Sequence, residues 1–128
     1  MASSVRHLKP TVLVVEDELL MRMNAVTLVE EAGFAALEAA NADEAITILE
    51  ARKDIRFVFT DINMPGSMDG LKLAHAIRRR WPPIELILTS GDLQIEEKKL
   101  PSRGRFLLKP YGPTELRSAL TSWPERTT

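Results

Sequence analysis

The sequence predicts an α/β fold in which a parallel β-sheet is covered by helices on both faces. In several short segments apolar residues occupy consecutive positions rather than alternating ones, a pattern typical of strands buried on both faces. Segments rich in helix-forming residues separate them, and this alternation favours a parallel sheet with right-handed crossovers. A chain of 128 residues is long enough for one domain with its own core.

Five segments are predicted to be strands, because they are short, largely apolar and followed by polar or turn-forming residues. The second of them is the weakest. In chain order they span residues 11–15, 34–37, 57–60, 84–89 and 105–108.

Capping residues predict where the first helices begin and end. A helix over residues 18–32 ends before Gly33, a residue suited to the C′ position. Asn41 is the predicted N-cap of a second helix, with Glu44 three residues further on.

The remaining helices complete a regular order of elements. Asp69 can cap a third helix, which Pro82 ends. Residues 113–123 are predicted to form the last helix, and the polar segment 92–100 a short, poorly anchored one. Five β-α units in a row predict a flavodoxin-like parallel sheet of strand order 2-1-3-4-5, with helices on both faces.

These elements define one predicted domain over residues 11–123. We expect a flexible N-terminal arm over residues 1–10 and a tail over residues 124–128, with no output domain in this chain. Net charge is −1, there are no cysteines, and apolar runs are too short for a signal peptide or a membrane span. We therefore expect a cytoplasmic protein that binds neither nucleic acid nor membrane.

Charged and polar side chains directly follow four of the predicted strands. Glu16 and Asp17 come after the first strand, Asp61 after the third, Ser90 after the fourth and Lys109 after the fifth. Because ligands of parallel sheets bind at the carboxyl ends of the strands, we expect these residues to converge at one edge.

Three carboxylates at one edge require a counter-charge. Two carboxylates about 4 Å apart repel by roughly 4 kcal/mol at an effective dielectric constant near 20. Carboxylate oxygens suit Mg²⁺, with Mn²⁺ as an alternative, and Lys109 adds a positive charge suited to a phosphoryl oxygen. This combination indicates in-line phosphoryl transfer, in which an aspartate can itself be the nucleophile.

Taken with their neighbours, these residues resemble the receiver domain of bacterial two-component response regulators. The resemblance spans roughly residues 11–123, and its motifs occur in order at the strand ends. They are Glu16-Asp17, Asp61 with Met64-Pro65, Asp69-Gly70, Ser90 and Lys109-Pro110.

The resemblance implies a role for each residue of the acidic edge. Asp61 would be the phosphoacceptor and, together with Asp17, a direct ligand of Mg²⁺. Glu16 would contact the metal through water, and the backbone carbonyl of Asn63 would be a further ligand. Lys109 would pair with Asp61 and then with the phosphoryl group.

The resemblance also implies how the domain switches. Ser90 would donate a hydrogen bond to a phosphoryl oxygen in the active state, and Phe106 stands at the position of the switch aromatic. The Lys109–Pro110 peptide bond would be cis.

The sequence departs from the commonest receiver pattern at several positions. Glu16 stands where aspartate is usual, and Phe106 lacks the hydroxyl of a tyrosine switch. The loop over residues 65–70 is one residue longer than usual, and Gly91 gives the loop after Ser90 unusual freedom. These departures bear on the output conformation more than on the phosphorylation chemistry.

The function implied is that of a phosphorylation-dependent switch. A histidine kinase or a histidine phosphotransfer protein would donate the phosphoryl group, and the domain would catalyse its own phosphorylation and dephosphorylation without being a conventional enzyme. The downstream protein partner is not identified by the sequence, and a homodimer is compatible with it. Segment 92–100 is the predicted mobile element.

Three other functions are weighed against this one. Intact Asp17, Asp61 and Lys109 argue against a pseudo-receiver that binds partners without phosphorylation. A Mg²⁺-dependent phosphohydrolase usually carries a second aspartate where Asn63 stands. A flavin-binding protein would need a phosphate loop rich in serine, threonine and glycine, whereas residues 16–18 are all acidic.

Overall fold

The computed structural model describes residues 9–66, 68–91 and 96–122 of the chain. Most of the predicted arm over residues 1–10 and the whole predicted tail over residues 124–128 lie outside the described residues. Within the described ranges, none of the helices is long and apolar enough to cross a membrane.

The five predicted strands form one sheet in which every neighbouring pair is parallel. The strand order is β2-β1-β3-β4-β5, so the predicted flavodoxin-like order is confirmed. The strands are β1 (Thr11–Val15), β2 (Ala35–Ala39), β3 (Ile55–Asp61), β4 (Glu85–Ser90) and β5 (Gly104–Leu108).

In the part of the chain that the structure describes, three α-helices connect the first four strands and a fourth follows β5. They are α1 (Leu19–Glu31), α2 (Ala42–Ala51), α3 (Gly70–Arg80) and α4 (Pro113–Thr121). The predicted caps are confirmed, since Asn41 accepts from the backbone N–H of Glu44 and Asp69 from that of Lys72, both at 2.9 Å. Gly33 follows α1 with a φ of 99°, which suits a glycine at C′.

Segment 92–100 differs from its prediction. Its described part contains a 3₁₀ turn, Glu97–Lys99, in place of the predicted helix, and residues 92–95 lie outside the described ranges. One side chain of α3 contacts this part, since His75 Nε2 lies 2.8 Å from the carbonyl oxygen of Lys99. The weak anchoring of the segment stays a prediction.

The sheet separates two hydrophobic clusters, one on each face. Leu13, Val58 and Leu86 belong to one cluster, and Val14 and Phe57 belong to the other. The prediction that strands are covered on both faces is confirmed for β1, β3 and β4, whose residues are almost all buried.

The same prediction is wrong for β5. Phe106 and Leu108 are 37% and 39% exposed, although both are large and apolar. β5 is an edge strand. The segment before it forms a 3₁₀ turn in its described part, and the face of β5 that carries Phe106 and Leu108 stays partly exposed to solvent.

Gly70, the first residue of α3, lies unusually close to the end of β3. Its backbone N–H donates to the carbonyl oxygen of Ile62 at 2.8 Å. A Cβ atom at Gly70 would lie 1.7 Å from the carbonyl oxygen of Asp61, a backbone atom that cannot move aside alone. A glycine is therefore required where α3 meets the strand that ends in Asp61.

We predict that Gly70→Ala lowers the free energy of unfolding by about 3 kcal/mol, because overpacking of this kind forces backbone shifts. Urea denaturation measures the change. Gly91→Ala is the matched control, since a Cβ atom there meets nothing within 4 Å, and it should change stability by less than about 1 kcal/mol. Equal stabilities of the two variants would contradict the steric requirement at Gly70.

Candidate functional site

The sheet brings the predicted site residues together at its carboxyl edge. Asp61 and Ser90 are the last residues of β3 and β4, and Asp61 pairs with Thr89 in the parallel register. Glu16 and Lys109 follow β1 and β5 directly. The backbone N–H of Lys109 donates to the carbonyl oxygen of Ser90 at 2.9 Å, which fixes Lys109 beside β4.

A lysine ammonium group lies between two buried carboxylates. Lys109 Nζ lies 2.6 Å from Asp61 Oδ2 and 3.4 Å from Glu16 Oε1. The side chains of Asp61 and Glu16 are only 7% and 8% exposed. Charged groups buried to this extent need a partner of opposite charge, and Lys109 provides it for both carboxylates.

A third carboxylate completes a cluster that can hold a metal ion. Glu16, Asp17 and Asp61 each offer a carboxylate oxygen, and these oxygens all lie within 4.8 Å of one another. Asp17 is exposed, so the cluster opens to solvent on one side. An all-oxygen, carboxylate-rich set open to water fits Mg²⁺, which prefers oxygen ligands and keeps several waters.

The charges of this cluster shift the pKa values of its members. Burial raises the pKa of Glu16. Together with the charge and hydrogen bond of Asp61, it outweighs the hydrogen bond from the Glu18 backbone and the charge of Lys109, which lower that pKa. Burial alone would lower the pKa of Lys109, but its hydrogen bond to Asp61 and the two carboxylate charges raise it above its usual value. Lys109 is thus held as a cation.

Ser90 and Asn63 meet at the same edge. Ser90 is completely buried, and its Oγ accepts a hydrogen bond of 3.1 Å from Asn63 Nδ2. The backbone N–H of Asn63 donates to Asp61 Oδ1 at 3.0 Å. The use of the Asn63 carbonyl as a metal ligand stays a prediction, as do the other roles that the resemblance implies.

Two further predicted features lie on or after β5. The Lys109–Pro110 peptide bond is cis, the isomer expected from the sequence. Phe106 pairs with Leu88 across the β4–β5 ladder and is partly exposed. It is the only predicted site residue on the open part of β5 rather than at the strand ends.

Sequence reasoning missed Arg22, which supports the acidic loop from α1. Its Nη1 donates to the backbone carbonyl oxygen of Glu16 at 2.9 Å, and its Nε pairs with Glu38 Oε1 at 3.0 Å. Nothing in the sequence distinguishes this arginine from a surface residue. Glu18, the first residue of the helix predicted over residues 18–32, is the N-cap of α1, and its side chain accepts from the Leu20 backbone N–H at 2.6 Å.

Tyr111 was also missed, although it follows the Lys109–Pro110 pair. Its ring packs edge-on against Phe59, with 5.4 Å between ring centroids. Burial, followed by the charges of Glu16 and Asp61, raises the pKa of Tyr111 to about 12. The phenol therefore lies within the electrostatic field of the carboxylates.

Comparison with known proteins matches both the fold and the sequence. The family described as the response regulator receiver domain matches residues 12–121. Sensor kinase CckA of Brucella abortus is 33% identical over 120 residues, which cover 91% of this chain and 13% of that protein. Aerobic respiration control protein ArcA of Escherichia coli strain K12 is 34% identical over 109 residues, covering 84% and 45%. The chain thus spans less than half the length of these curated relatives.

Solved receiver structures superpose on most of the chain. A response regulator receiver domain protein from Clostridium thermocellum has a TM-score of 0.79 and 26% identity, covering 88% of this chain and 91% of its own. The receiver domain of the hybrid histidine kinase CckA has a TM-score of 0.73 and 29% identity, covering 88% and 96%.

Fold, acidic edge and relatives together define a signalling domain of two-component systems. Such domains are phosphoacceptors that transmit a signal rather than conventional enzymes. The chain belongs to the family of response regulator receiver domains.

The ionisation of Tyr111 tests the effect of burial and of the Glu16 and Asp61 charges directly, because Tyr111 is the only tyrosine in the sequence. We predict that it stays protonated in the folded chain up to a pH of about 12, whereas an unfolded chain ionises tyrosine near pH 10. Ionisation then favours the unfolded chain, so the free energy of unfolding falls as pH rises from 10 towards 12.

Absorbance of tyrosinate measures the pKa directly, and Tyr111→Phe should remove its share of the alkaline loss of stability. A midpoint near pH 10 in the folded chain would contradict the influence of burial and of the two carboxylates.

Proposed function

We propose that this domain accepts a phosphoryl group on Asp61 from a histidine kinase or a histidine phosphotransfer protein. The contact between Lys109 Nζ and Asp61 Oδ2, at 2.6 Å beside an acidic cluster, carries the proposal. It supplies a nucleophilic carboxylate, a fixed cation and a set of oxygens suited to a divalent metal. These are the parts that phosphoryl transfer requires, since it depends on positioning and charge neutralisation.

In the proposed step, an Asp61 carboxylate oxygen attacks phosphorus while the bond from phosphorus to the donor's imidazole nitrogen breaks. When the other ring nitrogen of the phosphohistidine carries a proton, the products are an aspartyl phosphate and a neutral imidazole. Lys109 transfers its contact from the carboxylate to a phosphoryl oxygen, which limits the build-up of negative charge. A bound Mg²⁺, held by Asp17 and Asp61 with Glu16 acting through water, would neutralise the carboxylates and the phosphoryl oxygens.

Release of the phosphoryl group to water would use the same residues. Water would bond to phosphorus as the bond from phosphorus to the Asp61 oxygen breaks, leaving the free carboxylate and an inorganic phosphate that keeps the protons of the water. The domain would thus catalyse both its own phosphorylation and its own dephosphorylation. Ser90 is the proposed sensor of the product, because its hydroxyl lies at the end of the strand next to Asp61. A hydrogen bond from Ser90 to a phosphoryl oxygen would connect the modification to β4 and its neighbour β5.

An exposed apolar surface at the same edge supports the approach of a protein donor. Leu19, Leu20 and Met23, in the first two turns of α1, are 55%, 70% and 52% exposed. Leu20 also lines a groove with Lys109 and Pro110, so apolar surface adjoins the reacting group. Exposed apolar surface of this kind marks interaction sites, and a donor bound here would lie beside Lys109, the residue that contacts Asp61.

Incorporation of phosphate from a small acyl-phosphate donor tests the proposal without a partner protein. Intact mass should show one added phosphoryl group in the wild type with Mg²⁺, none with a chelator, and none in Asp61→Asn. The matched control is Asp54→Asn, which removes an exposed acid outside the cluster and should leave incorporation unchanged.

Two results would overturn the proposal. No incorporation by the folded wild type would favour a pseudo-receiver that signals by binding alone. Equal incorporation by Asp61→Asn would place the acceptor on another residue.

A further inference from the structure

Arg22 connects the loop that carries the acidic residues to two neighbouring elements. It lies in the first turn of α1, and its Nη1 donates to the backbone carbonyl oxygen of Glu16 at 2.9 Å. Its Nε donates to Glu38 Oε1, on β2, at 3.0 Å. One guanidinium group thus joins the loop between β1 and α1 to the adjacent strand, and its planar fork fixes the direction of both hydrogen bonds.

The carbonyl that Arg22 holds lies between two members of the carboxylate cluster. It belongs to the planar peptide unit that links Glu16 to Asp17, so its direction determines how the chain leaves Glu16 and enters Asp17. The backbone N–H of Glu16 is held as well, because it donates to the carbonyl oxygen of Ala39, on β2, at 3.1 Å. The backbone on both sides of the Glu16 Cα atom is therefore tied to its surroundings.

The two carboxylates of this loop differ in what holds their side chains. Glu16 Oε2 accepts from the Glu18 backbone N–H at 3.1 Å, and Glu16 Oε1 lies 3.4 Å from Lys109 Nζ. Asp17 is exposed, and within the described ranges its carboxylate makes no hydrogen bond or ion pair. The place of Asp17 in the cluster therefore depends on its backbone, and so on the peptide unit that Arg22 holds.

Charge and position predict opposite effects of Arg22 on a bound cation. A guanidinium group near the cluster repels Mg²⁺, although its ion pair with Glu38 offsets part of that charge. If charge alone mattered, removing Arg22 would strengthen Mg²⁺ binding. If position matters more, removing it lets the Glu16–Asp17 peptide turn, and Mg²⁺ must then order the two carboxylates as it binds.

We propose that Arg22 is a positioning residue of the cation site, which holds the Glu16–Asp17 peptide so that both carboxylates face Asp61 before Mg²⁺ binds. The inference rests on the proposed function, in which this cluster binds Mg²⁺ for phosphoryl transfer. Groups that orient metal ligands without touching the metal commonly change metal affinity by about tenfold or more.

Calorimetric titration with Mg²⁺ measures the affinity of the wild type, Arg22→Met and Arg22→Lys. Arg22→Met keeps an unbranched side chain without the charge, and we expect its affinity to be about tenfold weaker. Arg22→Lys keeps the charge but loses the fork, and we expect binding to be about threefold weaker. Phosphate incorporation from the small acyl-phosphate donor should need more Mg²⁺ in Arg22→Met and reach the wild-type rate within about twofold at saturating Mg²⁺.

Arg117→Met is the matched control. Arg117 Nη2 also donates from a helix to a backbone carbonyl oxygen, that of Glu31 at 3.1 Å, at the end of α1 that lies away from Glu16. The Mg²⁺ affinity of this variant should stay within about twofold of the wild-type value. Urea denaturation without Mg²⁺ is measured for each variant, because a purely structural role of Arg22 would lower stability and leave the Mg²⁺ affinity of the folded chain unchanged.

The outcomes distinguish the inference from the function on which it rests. Unchanged or tighter Mg²⁺ binding by Arg22→Met would overturn the positioning role, and so would an equal weakening in Arg117→Met. If Arg22→Met does not fold, Arg22→Lys decides, and an affinity equal to that of the wild type would contradict the role. Failure of the wild type itself to bind Mg²⁺ would count against the proposed function instead.

Discussion

The carboxyl edge of this sheet depends on the balance of charge between buried carboxylates and one lysine. Glu16 and Asp61 are almost fully buried, and the ammonium group of Lys109 lies between them. Asp17 adds a third negative charge within 4.8 Å, so one cation does not neutralise the cluster. Electrostatic repulsion between carboxylates therefore favours a divalent metal. The pKa of Glu16 is raised first by burial and then by this repulsion from Asp61.

The fold holds these charged residues close together by contacts to their backbone, which do not change when their side chains rotate. Gly70 lets α3 approach the carbonyl of Asp61, and Arg22 ties the carbonyl of Glu16 to α1. The Lys109 backbone is hydrogen-bonded to Ser90, so the strand that carries Phe106 is the direct neighbour of the one that ends at the site. A displacement of Ser90 would thus act directly on β5, the exposed edge strand of the sheet.

The sequence predicts the parts of the site that depend on strand ends, since a parallel sheet gathers them at one edge whatever the details of packing. Asn41 and Asp69 were predictable as caps because capping is local. The 3₁₀ turn in segment 92–100 was not, because its described part contacts a residue distant in sequence, His75, which precedes its partner Lys99 by 24 positions. Arg22 was missed for the same reason: any helical arginine has the same local pattern, and only the tertiary structure supplies its carbonyl partner.

The balance of charge is tested most directly by the effect of Mg²⁺ on the free energy of unfolding. We predict that Mg²⁺ at about 100 times its dissociation constant stabilises the wild type by roughly 2.7 kcal/mol. Asp17→Asn should lose most of this gain, whereas Glu18→Gln, which alters the adjacent acid outside the cluster, should keep it. No stabilisation of the wild type, or an equal gain in Asp17→Asn, would contradict the claim that the three carboxylates form a cation site.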